Sequence, residues 1–218
     1  MCNLQYEVVQ RRNAEEMSPS GRVPFIKCGA FLISELEPLM SFLENKGISL
    51  SGDLDTLTKS DMRAYMSLMN TVLANAELYV TWVDRDTYNQ VTKPRNSSVH
   101  PWPLGWILTA KKRRRVLKRL GALNWLDKSV QQVYEEVDSC CTALSERLDD
   151  NKYFFGDKPT ELDAVVFAHI FTILTTPLPN NQFAATVRCY PKLVDHCMRI
   201  EKEYFSENKT EVRAMLEN

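Results

Sequence analysis

KPTELDAVVFAHIFTIL, residues 158–174, decides the fold. Thr160 and Asp163 stand three positions apart, just ahead of a long apolar run. This is the spacing of a capping box, with Asp in place of the commoner Glu. The threonine hydroxyl accepts from the Asp163 backbone N–H, and the carboxylate reaches back to the Thr160 N–H. Pro159 lies just outside the cap, where it cannot be drawn into the helix from behind. Leu162, Val165, Val166, His169, Ile170, Ile173 and Leu174 then recur at helical spacing, and Ala164, Phe167, Ala168 and Phe171 fill the other faces. A helix apolar on nearly every side is expected to be buried on nearly every side. It is too short and too polar at its start to span a bilayer. The stretch predicts the central helix of an all-helical domain.

Working outward, Pro177, Leu178 and Pro179 break the chain after this helix, and short helices are expected over 181–189 and 191–205, with a polar, fraying tail from Ser206. Before it, Tyr153–Gly156 reads as an aromatic turn. Helices are expected over 127–148, with Val130, Val133, Tyr134, Val137, Cys140, Cys141, Leu144 and Leu148 inward, over 104–120, and over 59–83. A loop is expected at 93–100, its exit fixed by Pro101 and Pro103. Residues 48–58 have no periodicity and read as a connector. Upstream the pattern changes: a short strand candidate at 6–10, a turn at 18–21, and two apolar runs, 23–28 and 31–33, around Gly29-Ala30, which together signal a hairpin. Ser34 is placed to cap a helix over 35–46, which Gly47 ends.

The 218 residues are 44% hydrophobic and 25% charged, ordinary for a globular chain, and the formal net charge of −1 supplies no global field toward nucleic acid or membrane. Any such attraction must be local. The six cysteines include an adjacent pair, Cys140 and Cys141, no CxxC spacing occurs, and no signal-peptide pattern opens the chain. Reduced thiols in a cytosol-facing protein are expected. The three histidines do not cluster with the cysteines, so no metal is expected. No run of about 18 apolar residues offers a membrane span.

Val23-Pro24 and the Thr160/Asp163 box, in this order and at this separation, resemble the glutathione transferase fold. The stretches MSPSGRVPFI (17–26), AELYVTWVD (76–84), PWPL (101–104), YFFGDKPTELDAVVFAHIFTILTT (153–176) and RIEKEYF (199–205) resemble, more closely, the metaxin family within that superfamily, over essentially the whole chain. The resemblance implies a mainly α, glutathione transferase-like fold. Residues 1–47 would be a truncated, partial thioredoxin-like α/β part that begins where the fold's first helix should be ending, and residues 59–218 an all-helical C-terminal-like domain. It implies a cis bond before Pro24. It also implies a non-enzymatic subunit of a mitochondrial outer-membrane protein import and β-barrel sorting and assembly complex. Such a subunit is held peripherally on the cytosolic face through a metaxin-1-like partner. The competing reading is a glutathione-dependent transferase-type enzyme.

Transferases of this fold carry the residue that activates glutathione in their first strand or helix, which this chain is expected to lack. Cys2 lies near that place and reads as a terminal thiol. Where they place Glu or Gln followed by Ser or Thr, at the N-terminus of the third helix, this chain has Glu35-Leu36, and leucine offers no hydroxyl to a carboxylate. Glu35 reads as a first-turn acid favoured by the helix dipole. His169 has no Asp, His or Cys at three or four residues and reads as a core histidine. No catalytic residue and no cofactor are expected, and Pro24, Thr160 and Asp163 are structural. One charged feature is out of balance with the chain: residues 111–119, KKRRRVLKR, contribute Lys111, Lys112, Arg113, Arg114, Arg115, Lys118 and Arg119. Five successive cations leave no apolar side to bury, so the segment is expected to project, either as a solvated face or as a contact for an anionic lipid or protein surface. Nothing beside it reads nucleic acid. Trp102, Trp106, Trp125 and Leu126 flank it, as core or as an apolar contact surface.

Overall fold

In the computed structural model, which describes residues 1–2 and 4–205, the chain divides between Leu54 and Asp55 into two units. The tail from Ser206, expected to fray, lies outside the described residues.

The first unit holds a short helix α1 (Ala14–Met17), a hairpin of β1 (Phe25–Cys28) and β2 (Phe31–Ser34), and helix α2 (Leu36–Glu44). The strands pair antiparallel from Phe25 opposite Ser34 to Cys28 opposite Phe31. Gly29 sits at φ +59, at the position where a two-residue hairpin turn favours glycine. The Val23–Pro24 bond is cis, and so is Trp102–Pro103, which no resemblance had marked. Two readings are corrected. Residues 6–10 form no strand: Tyr6, Val8 and Val9 are exposed, and β-propensity without a partner edge does not make a strand. Ser34 ends β2 instead of capping α2; Glu35 occupies the cap position, at φ +70 and ψ 152, without a side-chain cap bond. Gly47, at φ +76, does close the helix end, its N–H donating to the Glu44 carbonyl.

The second unit is all helical. Its elements are α3 (Thr56–Thr71), α4 (Leu73–Trp82), α5 (Arg85–Thr87), a π turn (Tyr88–Thr92), α6 (Lys93–Ser97), α7 (Leu104–Ala122), α8 (Val130–Leu148), α9 (Glu161–Thr175), α10 (Gln182–Arg188) and α11 (Pro191–Tyr204). The expected single helix over 59–83 is two, meeting at Val72, and it starts earlier because Asp55 accepts from the Thr58 N–H as a cap. The expected loop at 93–100 is helical through Ser97, because the wider π turn brings the Lys93 N–H onto the Tyr88 carbonyl and carries the chain past Pro94. Helix α8 begins at Val130, not 127, where Ser129 and Gln132 form a capping box.

Helix α9 is the centre, packed against α3, α4, α10 and α11, with Leu162, Val166, Ile170 and Ile173 buried. It is not buried on every side: Ala168, Thr172 and Thr175 are exposed. The outward face holds small or hydroxylated residues whose polar atoms are already satisfied. Thr172 and Thr175 donate to the Ala168 and Phe171 carbonyls at 2.7 and 2.6 Å.

Candidate interaction surface

Asp163 does more than cap α9. It is fully buried, and both carboxylate oxygens are saturated. Oδ2 accepts from the Thr160 N–H and the Thr160 hydroxyl, each at 2.7 Å. Oδ1 accepts from the Phe154 N–H at 3.1 Å and from His196 Nε2 at 2.8 Å. Four donors fill the four lone-pair positions a carboxylate offers. The group therefore ties the 153–156 turn, the start of α9 and helix α11 together. His196 is itself fully buried, edge-on to Phe154 and Tyr153, and its Nδ1 has no partner among the described residues. His169 also has a partner that its own helix could not reveal: Glu77 on α4 lies 2.8 Å from its Nδ1.

Glu35, which the transferase resemblance aligns with the γ-glutamyl position, is bonded to Arg22 at 3.1 Å, and Leu36 follows it without a hydroxyl. Cys140, Cys141 and Cys197 are buried; burial pushes their thiols up to about 12, away from thiolate chemistry. Among the described residues, no group of histidines, cysteines and carboxylates has the form of a metal site.

The basic segment lies on α7 and does not project as a whole. Arg113 turns inward, its Nε donating to the Trp82 carbonyl at 3.2 Å and its guanidinium 4.0 Å from the Tyr88 ring centroid. Lys112 lies over the Trp82 ring at 5.6 Å. Their stems and cations cover aromatic surface, which a pattern counting them as polar does not anticipate. With Gly105, Thr109 and Leu120 they mark the packed side of the helix. The opposite ridge runs Leu104, Ile107, Lys111, Arg114 and Lys118 at steps of three and four, all exposed. Lys111, Arg114, Arg115 and Lys118 pair with no carboxylate among the described residues. Of the flanking tryptophans, Trp125 is core, while Trp102 is 89% and Trp106 58% exposed. Trp102, Leu104, Trp106 and Ile107 make an open apolar tip at the helix N-terminus.

A family model for the glutathione S-transferase C-terminal domain matches residues 137–200, and a model for outer mitochondrial membrane transport complex protein matches residues 1–113. Metaxin-2 of Homo sapiens is 48% identical over 207 residues, spanning 95% of this chain and 79% of its own length. The chain belongs to the metaxin family. The metaxin-2 homolog of Caenorhabditis elegans is 38% identical over 80% of this chain and 76% of its own, and mouse metaxin-1 is 31% identical over 89% and 64%. No solved structure matches.

The fold is mainly helical and glutathione transferase-like, and the family models tie this metaxin family member to transport at the outer mitochondrial membrane. The seven basic residues read as one contact do not share one surface. Lys111, Arg114, Arg115 and Lys118 share an exposed surface, Lys112 and Arg113 face the core of the helical unit, and Arg119 is half-buried. Sequence reading missed His196. Its signal was present only in retrospect: a histidine among the apolar positions of α11, opposite a carboxylate 33 residues away.

Proposed function

We propose that this chain is a non-enzymatic subunit of a mitochondrial outer-membrane protein import and β-barrel sorting and assembly complex, held on the cytosolic face through a metaxin-1-like partner in a heteromer. The observation that carries the reading is the 48% identity to metaxin-2 over 95% of the chain. In this reading residues 1–47 form a partial thioredoxin-like domain and residues 59–218 the transferase C-terminal-like domain. No helix among the described residues is long and apolar enough to cross a membrane, which leaves attachment by a helix to something other than these elements.

The runner-up, a glutathione-dependent transferase, takes support from the C-terminal domain match. Against it stand Leu36 in the place of a hydroxyl, Glu35 already engaged by Arg22, and three buried cysteines whose thiols titrate far above neutrality. The purified chain, given glutathione and a chloronitrobenzene electrophile, is expected to leave the conjugation rate at that of buffer. A rate well above buffer would replace the subunit reading with the enzyme.

A further inference from the structure

We infer that the N-terminal tip of α7 enters an anionic bilayer surface, so that the protein touches lipid directly as well as through a partner. The inference rests on the membrane-associated reading above but not on which partner delivers the chain. It is carried by two features on one edge of the helical unit, an exposed apolar tip and, immediately behind it, a row of cations that pair with no carboxylate among the described residues.

The tip is built to stay out. Trp102 is 89% exposed, Trp106 58%, Ile107 54% and Leu104 45%, all within six residues. Scattered exposed apolar residues need no explanation, but two tryptophans and two aliphatics at one helix end form a patch. Tryptophan is the side chain that settles at a membrane interface, its ring in the acyl boundary and its N–H toward water. The tip is also seated closely on the segment before it. Gly105 brings the first turn of α7 so close to the preceding segment that a Cβ there would lie 2.0 Å from the Ser97 carbonyl oxygen.

The charge behind the tip is complementary to anionic headgroups. Residues 93–126 carry nine lysines and arginines and no acid, in a chain of formal net charge −1. Along the exposed ridge, Lys111 follows Ile107 by one turn, about 6 Å of rise. That matches the roughly 5–7 Å by which the headgroup layer extends each side of the hydrocarbon. With the helix steep to the surface, Ile107 and Trp106 reach the acyl boundary while Lys111 lies level with the phosphates. Arg114, Arg115 and Lys118 follow within the next two turns, where each cation is attracted to a negative surface. An acidic protein patch would satisfy the cations but leave the tryptophan tip without an apolar host.

The test is co-sedimentation of the full chain with vesicles of phosphatidylcholine alone and of an equal mixture of phosphatidylcholine and phosphatidylserine. Binding is expected to the mixture, to weaken as salt rises, and to fall roughly fivefold for each of Lys111, Arg114 and Lys118 changed to Gln. Brominated acyl chains should quench part of the tryptophan emission, and that part should vanish in a Trp102→Ser, Trp106→Ser variant of unchanged thermal unfolding. No binding to either vesicle, or binding without quenching by the acyl chains, overturns the inference; the surface would then suit an acidic protein. Either result leaves partner capture, scored separately with a metaxin-1-like protein, to judge the subunit reading alone.

Discussion

Replacing Asp163 with alanine should cost the helical unit about 3–5 kcal/mol, the usual consequence of removing one member of a buried polar pair. The loss exceeds that of a helix cap because the substitution strands more than a cap. The Thr160 N–H and hydroxyl, the Phe154 N–H and His196 Nε2 all end on this carboxylate. His196 is fully buried, so its ring cannot turn to water without opening the contact between α9 and α11. Thr160→Ala removes only a hydroxyl and leaves the Thr160 N–H its acceptor, so its cost should stay near 0.5–2 kcal/mol. Asp163→Asn should fall between them, since an amide NH2 set against two donors keeps only one oxygen's bonds. Thermal unfolding reads all three, with a fall of roughly 10 °C expected for Asp163→Ala. Equal shifts for Asp163→Ala and Thr160→Ala would reduce Asp163 to a cap and remove it from the centre of the unit.

The contrast also marks what was legible beforehand. Thr160 and Asp163 are three residues apart, and their relation is local, so spacing alone exposes it. Phe154 and His196 reach the same carboxylate from nine residues before and 33 after, and no periodicity connects them. Glu77 and His169 are 92 residues apart, for the same reason invisible to a search at three and four residues. Arg113 was misread because charge was taken as a sign of solvent, whereas its guanidinium is spent on the Trp82 carbonyl and the Tyr88 ring. Tyr6–Gln10 was misread because composition reports what a strand would tolerate, not whether a partner strand is there. The capped helix and the hairpin were readable because turn, cap and apolar run agree over a few residues; the surface ridge of α7 became readable only when its packed side was known.

Gly105→Ala and Gly121→Ala, the same change in the same helix, should have opposite signs. At Gly105 the added Cβ would meet the Ser97 carbonyl oxygen at 2.0 Å and the His100 carbonyl oxygen at 2.8 Å. Both atoms are backbone, so no rotamer can clear the space and the first turn of α7 must move away from α6. Overpacking of this kind costs about 3 kcal/mol, well above the gain of about 1 kcal/mol that alanine brings to a helix interior. At Gly121 the nearest atom is Leu126 Cδ1 at 3.5 Å, an ordinary contact, so the helix gain should survive and stabilise the chain by about 0.5–1 kcal/mol. Denaturant midpoints for the two variants check the pair. A neutral Gly105→Ala would mean that α7 is not seated on the 97–100 segment, and the orientation of its tip would lose its support.

The subunit reading is tested most directly by fractionating cells with and without the metaxin-1-like partner. The protein should sediment with mitochondria when the partner is present, and alkaline carbonate should release it, as it does proteins held peripherally. Without the partner most of it should move to the soluble fraction, with a residue on membranes that salt removes, as a contact made by Lys111, Arg114, Arg115 and Lys118 requires. Protein that stays firmly on mitochondria without the partner, through salt and carbonate alike, would contradict the account.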